Sequence, residues 1–369
     1  MIYKSKAKVL QIITLGELGG AQTHLFDIVH NLKSNFDFHV AIGEPGYLTE
    51  SLRKEGVAVH RIPSLHRDIS LINDSKAYWE ILSLIRSIQP DLVCTHSSKA
   101  GFLGRRAAYK LGVPSVFTAH GWAFTDGVDS KRQKLYLRLE KMAARWCNRI
   151  ICVSEYDRQL ALKCRVAPDN KLVTIHNGIP SDTFFYSKRE SIPLVITMVA
   201  RFSEQKDHAL LLNAVRDIDI RNIKVQLVGD GPLLPNIKSL AESLNIGDRV
   251  QFLGNRRDVP ELLTHSDIFV LTSKWEGFPI TILEAMRAGL PVICSDVGGC
   301  SEAIKDGENG FLVPRGDGVV LANRLKQLIK DKDLRYKMGQ KGRMSFEKCF
   351  TVEKMAEKTE RIYREIIGF

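Results

Sequence analysis

The seven cysteines contain no Cys-x-x-Cys pair, their number is odd, and Cys94, Cys152 and Cys294 fall in or beside apolar runs. Neither a disulfide framework nor a zinc site of paired thiols is implied, and reduced, buried thiols are expected. No apolar run approaches the ~20 residues needed to span a bilayer, and Met1-Ile-Tyr-Lys-Ser-Lys lacks the hydrophobic segment of a signal peptide. A cytoplasmic protein is the expectation. Short repeats and low-complexity segments are missing too. So is Gly-x-Gly-x-x-Gly, and no acidic residue closes a second strand in the dinucleotide manner, which disfavours NAD.

What is present is a soluble, globular composition, 44% hydrophobic and 26% charged, in a chain of 369 residues. That length suffices for two domains with separate cores. The formal charge of +11 is uneven: residues 1–182 hold 25 Lys and Arg against 17 Asp and Glu, whereas 183–369 hold 28 against 25. The first half therefore carries +8 and the second +3. Nucleic acid or anionic lipid headgroups are the obvious partners for such a surface. Nucleic acid is disfavoured, because the aromatic residues do not interleave with the basic ones and no recognised binding motif occurs.

Apolar, β-branched runs at 9–13, 36–42, 57–62, 92–95, 115–118, 150–153 and 172–175 alternate with helical periods. After a polar stretch at 181–193, read as a linker, a second series follows at 194–199, 225–228, 250–253, 268–271, 291–294 and 310–313. Alternation of this kind means βα units and parallel sheets covered on both faces. The expected fold is α/β, with two doubly wound, Rossmann-like domains facing across a cleft: 1–182, 183–350, and a terminal helix at 351–369 packing back on the first. In such sheets ligands bind beyond the carboxyl ends of the strands, so the loops there are where chemistry belongs.

Six loops offer it. Gly19 and Gly20 follow the first strand and open a helix, letting backbone approach a phosphate. His120 stands at the mouth of the strand ending near 118, with Trp122 and Phe124 beside it as a wall for a sugar face. Arg201 and Lys206 lie five residues apart after an apolar strand, a guanidinium fork and an ammonium for one pyrophosphate. Gly229-Asp-Gly-Pro232 follows the next strand, and Asn255 and Arg256 can frame a base. In Ser273-Lys-Trp-Glu-Gly-Phe-Pro-Ile-Thr-Ile-Leu-Glu284, Glu276 lies in a loop, Pro279 is expected at the first helical position, and Glu284 projects about a turn and a half further on. Two hydroxyl-seeking acids flank an anion-seeking helix start, a combination that fits a nucleotide sugar. Val297-Gly-Gly-Cys-Ser-Glu302 repeats the glycine-pair arrangement.

Taken in order with His176-Asn-Gly178, these features resemble the retaining, nucleotide-sugar-dependent glycosyltransferases of the GT-B fold, in the large group designated family 4. The likeness covers nearly the whole chain. It implies that Arg201 and Lys206 bind the donor diphosphate and offset the charge of the leaving nucleotide. It also implies that Glu284 holds the ribose hydroxyls, and that Glu276, with Gly277, Phe278, Pro279 and Ile280, holds donor sugar and phosphate. Gly19 and Gly20 would close over the phosphates from the other domain, and His120 would contact the transferred sugar. The family is metal-independent, so neither metal nor cofactor is expected; cations and helix N-termini take the metal's electrostatic role. The implied reaction moves a hexose or N-acetylhexosamine from a nucleoside diphosphate, UDP on family grounds. A GT-B-like nucleotide-sugar 2-epimerase is the nearest alternative.

On a helix read over 131–149, Lys131, Lys134, Arg138, Lys141 and Arg145 form a basic stripe, while Leu135, Leu139, Met142 and Trp146 form an adjacent apolar face. An interfacial helix on anionic lipid has this shape. The pieces at 95–101 and 118–124 look like those of bacterial capsule and exopolysaccharide transferases. With the basic first half they predict a polyprenyl-linked or other saccharide acceptor, taken up at the inner face of the membrane.

Overall fold

The structure, a computed structural model, describes residues 6–17, 19–125, 130–181, 193–218 and 222–368. It divides into two units, Met1–Gly178 with Val352–Phe369, and Ile179–Thr351. Most of the expected linker, 182–192, lies outside the described residues.

The first unit runs β1 (Ala7–Leu15), α1 (Gly20–Leu32), β2 (Phe36–Glu44), α2 (Tyr47–Lys54), β3 (Ala58–Arg61), α3 (Leu71–Ile88), β4 (Leu92–His96), α4 (Ser98–Lys110) and β5 (Ser115–Ala119). It continues with α5 (Ser130–Ala143), β6 (Arg149–Cys152), α6 (Glu155–Lys163) and β7 (Leu172–Thr174). The second unit holds β8 (Leu194–Val199), α7 (His208–Arg216), β9 (Ile223–Val228), α8 (Leu234–Ser243), β10 (Val250–Gly254), α9 (Val259–Thr264) and β11 (Ile268–Leu271). There follow α10 (Ile280–Arg287), β12 (Val292–Ser295), α11 (Cys300–Ala303), β13 (Gly310–Val313), α12 (Gly318–Lys330) and α13 (Lys332–Cys349). The chain ends in α14 (Val352–Ile367), which belongs to the first unit.

Both sheets are parallel, ordered β3-β2-β1-β4-β5-β6-β7 and β10-β9-β8-β11-β12-β13. Strands covered on both faces read as continuous apolar runs, which is why their positions were visible in the sequence. Order reverses between β1 and β4 in one sheet and between β8 and β11 in the other. Those are the two switch points, where neighbouring crossovers leave in opposite directions and their loops part to open a crevice.

Residue alternation along β1 decides what each face of the first sheet buries. Val9 and Ile13 join the cluster of Leu25, Ile28 and Val29 from α1 with Met355, Ala356 and Tyr363 from α14. Leu10 and Ile12 join Ala77, Ile81 and Ile85 from α3 and Ala107 from α4 on the other. Gln11, wholly buried, therefore points to the α14 face with Val9 and Ile13.

The helix read over 131–149 is shorter than expected. It ends at Ala143, a 3-10 turn covers Ala144–Trp146, and Arg149 already begins β6. Leu135 and Met142 of the apolar stripe are exposed, as an interfacial face requires, while Glu140 and Ala143 are buried. A salt bridge turns Glu140 inward: it accepts a 2.7 Å hydrogen bond from Arg105, a fully buried residue of α4 whose guanidinium lies 4.0 Å over the Phe117 ring. Among the described residues no helix is long and apolar enough to cross a membrane.

Candidate active site

In the second unit the loops after β8 and β11 are stitched together at the switch point. Thr272 Oγ1 reaches Lys206 O at 3.1 Å and Asp207 O at 2.9 Å. Lys274 N donates to Gln205 O at 2.7 Å, and Gln205 Nε2 to Trp275 O at 2.8 Å. These bonds bring Lys206 onto Glu276, with which it forms an ion pair, and Ser273 Oγ donates to the same carboxylate oxygen at 2.5 Å. Glu276 is 7% exposed and Lys206 18%. The carboxylate is thus held in place, the condition for aligning a hydroxyl rather than drifting in solvent. Arg201 is exposed, and among the described residues its guanidinium makes no hydrogen bond or ion pair, which leaves its five donors available to a ligand.

Glycines let the loops approach this closely. Gly229 has φ +135°, and a Cβ there would lie 2.2 Å from Ala200 O; Gly298 has φ +56°, and its Cβ would lie 1.9 Å from Glu276 O. Gly299 N donates to Gly277 O at 2.8 Å, closing the β12 loop onto the β11 loop. Next to Arg201 in sequence, the buried Phe202 ring stacks on His208 at 4.1 Å. Burial lowers the His208 ring to about 4, so it is a neutral group rather than a cation.

Helix α10 starts one residue later than read from sequence. Pro279 is its N-cap, extended at ψ 120°, and Ile280 is the first helical residue. No acidic residue lies in the first turn, so the free N–H groups keep their attraction for an anion. Gly277, Phe278, Pro279 and Ile280 are buried, and Phe278 packs 5.3 Å from Phe350. What this segment offers a ligand is backbone. Glu284 is in the second turn and partly exposed, and among the described residues its carboxyl has no hydrogen bond or ion pair. Burial pushes its carboxyl up to about 7 against the opposing pull of Arg287. A carboxyl without a protein donor can accept from a diol. Asn255 and Arg256 are both exposed after β10, and Arg256 is engaged with Asp258 through bonds of 2.8 and 2.6 Å.

In the first unit the β1/β4 switch point gathers polar groups that the flanking apolar strands leave few places for. Thr14 and Ser97 hydroxyls meet at 2.8 Å. His96, the last residue of β4, lies between Gln11 Oε1 at 2.9 Å and His120 Nε2 at 3.0 Å. His24 of α1 donates from Nδ1 to Asn177 Oδ1 at 3.0 Å, and its ring meets His120 edge-on at 4.8 Å. Burial drives His96 and His120 well below their ordinary value and His24 to about 4, so all three rings are neutral at pH 7. Gly19 caps α1 and Gly20 opens it; both are exposed and the first turn holds no acid.

Trp122 and Phe124 are not a ligand wall. Each is 3% exposed, they stack on each other at 5.1 Å within the core, and Trp122 Nε1 donates to Asp157 O at 2.8 Å. A Trp three residues beyond the strand folds back to fill the space between β5 and α6, which no local pattern announces. The sequence does contain Asp-x-Asp pairs, at 217/219 and 331/333. Asp217 is held by Arg216 at 2.8 Å and Asp331 caps α13, so neither belongs to the strand-end loops. Sequence reasoning missed Ser273, Gln11, His24, His96 and Asn177 as site residues. Gln11 had one local sign, a single amide inside an otherwise apolar strand.

Two parallel α/β units, each with its polar groups at the switch point of its sheet, define the GT-B class of glycosyltransferase. The sequence profile of Glycosyltransferase Family 4 matches residues 18–183, and that of Glycosyl transferases group 1 matches 182–345. The chain belongs to this family and is a glycosyltransferase. It is 33% identical to the Escherichia coli UDP-Gal:alpha-D-GlcNAc-diphosphoundecaprenol alpha-1,3-galactosyltransferase over 98% of both chains. It is 27% identical to the Staphylococcus aureus capsular polysaccharide biosynthesis glycosyltransferase CapM over 91% of both. The solved structure of Anabaena HepE in complex with UDP and glucose superposes with a TM-score of 0.86 at 21% identity, covering 97% of this chain and all of that one.

Proposed function

We propose that the chain transfers a hexose or N-acetylhexosamine from a UDP-sugar, with retention at the anomeric carbon, to a lipid-linked saccharide in surface polysaccharide biosynthesis. The observation that carries this reading is the Lys206–Glu276 pair at the β8/β11 switch point, with the exposed Arg201 in the same loop as Lys206 and an acid-free helix start following Glu276. The E. coli relative, whose name specifies UDP-galactose and a diphosphoundecaprenol-linked acceptor, supports the donor and acceptor classes.

As the bond from C1 to the phosphate oxygen breaks, negative charge grows on the leaving UDP. Arg201 and Lys206 offset it, in the role a metal plays elsewhere, so the enzyme works without one. Both Glu276 and Glu284 serve hydroxyls: Glu276, fixed by Lys206 and Ser273, aligns the sugar, and Glu284 accepts from the ribose. With Glu276 so engaged, it is no free nucleophile. The acceptor oxygen attacks C1 from the face the phosphate leaves, and its proton passes to the departing phosphate oxygen.

On the exposed side of α5, Lys131, Lys134 and Arg138, with Arg145 beyond, surround Leu135 and Met142, which are 50% and 39% exposed. Lys141 is half-buried. Mixed basic and apolar exposure suits the headgroup layer of an anionic membrane, each cation contributing about 1 kcal/mol, and supports a peripheral location on the inner face.

The test is incubation with a panel of UDP-sugars and undecaprenyl-diphospho-GlcNAc in the presence of EDTA. An α-linked product formed from an α-donor is expected. No transfer with any donor defeats the reading, and full conversion of a donor without acceptor identifies a 2-epimerase instead. A trapped glycosyl adduct in Glu276→Gln would overturn the front-face route. Flotation with anionic vesicles, lost in high salt and on replacing Lys131, Lys134 and Arg138 by Ala, tests the membrane surface; a protein that never floats refutes it.

A further inference from the structure

The three neutral imidazoles of the first unit have proton positions that two side-chain amides dictate. Gln11 Oε1 is an acceptor only and lies 2.9 Å from His96 Nε2, so His96 carries its proton there. A neutral imidazole has one N–H, so His96 Nδ1 is bare, and His120 Nε2, 3.0 Å away, must donate to it. That leaves His120 Nδ1 as a lone pair. At the far end, the Tyr363 hydroxyl gives its proton to Cys94 and so accepts from Gln11 Nε2 at 3.2 Å, which sets which end of the amide faces His96. Tyr363 is 1% exposed on α14, and it reaches Gln11 because odd-numbered β1 residues face that helix.

The same rings are a poorer fit to a metal. The ligand atoms of His24, His96 and His120 lie within 4.8 Å of one another, but a ring that binds a metal must give up a nitrogen. His96 has both nitrogens occupied.

We propose that Gln11 and Tyr363 are positioning residues for glycosyl transfer, locking His120 through His96 as the Nε2–H tautomer so that Nδ1 can only accept a hydrogen bond from a substrate hydroxyl. This rests on the reading of His120 as a sugar contact. A ring free to exchange tautomers would meet the hydroxyl with the wrong polarity part of the time, and turnover would fall accordingly. The last helix of the chain thereby takes part in catalysis without touching substrate.

The experiment is 15N imidazole NMR on the full chain, with steady-state kinetics on Gln11→Leu, Gln11→Glu and Tyr363→Phe, each checked for folding by UDP-induced thermal stabilisation. Wild type should show Nε2–H on both His96 and His120. Gln11→Leu should mix the tautomers and lower kcat roughly tenfold, the worth of one hydrogen bond, with donor KM within about twofold. Gln11→Glu, an acceptor in the same place, should restore both tautomer and kcat; Tyr363→Phe should fall between. A proton on His96 Nδ1 in wild type, tautomers indifferent to Gln11→Leu, or Gln11→Glu as poor as Gln11→Leu would each overturn the proposal. Full activity in His120→Ala would instead remove His120 from the reaction, and the spectra would still judge the relay by themselves.

Discussion

Glu284 ties stability and donor binding to pH in a way that one substitution can expose. Burial raises its carboxyl from 4.5 to about 7. The folded chain keeps this proton where the unfolded chain releases it. Stability from the group is therefore full below about 4.5 and is lost as pH rises through 7. At ~1.36 kcal/mol per pKa unit the loss amounts to about 3 kcal/mol, a ceiling because the residue is partly exposed. Glu284→Gln removes the titration, so in urea melts it should stabilise by up to about 3 kcal/mol at pH 8 relative to its effect at pH 4. Function should move the other way. A ribose diol donating to the carboxylate favours the charged form, so affinity for a UDP-sugar, whose diphosphate diester does not titrate in this range, should weaken roughly tenfold from pH 8 to pH 6. Calorimetry at the two pH values should show that slope in wild type and a flat, weaker response in Glu284→Gln. A flat wild-type response, or a variant destabilised equally at pH 4 and pH 8, would refute the reasoning.

Gly298→Ala places a Cβ 1.9 Å from Glu276 O at φ +56°, so it should cost about 1–3 kcal/mol in urea melts and weaken UDP binding. Lys206→Met should lower kcat by about 10²–10³, since the ammonium serves charge that grows only in the transition state. Glu276→Ala should harm kcat more than Glu284→Ala does, because the ribose contact changes little during reaction; the opposite ranking counts against the two assignments. Arg105→Met alone strands a buried carboxylate and should cost about 3–5 kcal/mol, whereas Arg105→Met with Glu140→Leu should recover most of it in the same denaturation assay.

Much of the fold was legible because both sheets are parallel and doubly covered. Strands 194–199, 268–271 and 310–313 appear at the positions their apolar runs marked. Helix starts were less so: Pro279 caps α10 instead of opening it, and the helix after 130 stops at Ala143 and turns Glu140 inward. A buried Arg105 partner, 35 residues away, sets that inward turn, and no helical period encodes it.

The chain by itself determined the alternation of strands and helices, and hence that ligands belong at the strand ends; it also placed Arg201, Lys206, Glu276 and Glu284 in the loops and helix that follow. Those are local facts, set by side-chain period and by glycine and proline chemistry. Tertiary structure alone decided which of them touch: that Glu276 is bound by Lys206, 70 residues before it, while the Glu284 carboxyl has no partner among the described residues. It also decided that Gln11 meets Tyr363 across 352 residues of sequence. Hydrogen-bond partners at that separation depend on sheet order and on which face of β1 a helix covers, and neither is written in any one stretch of residues.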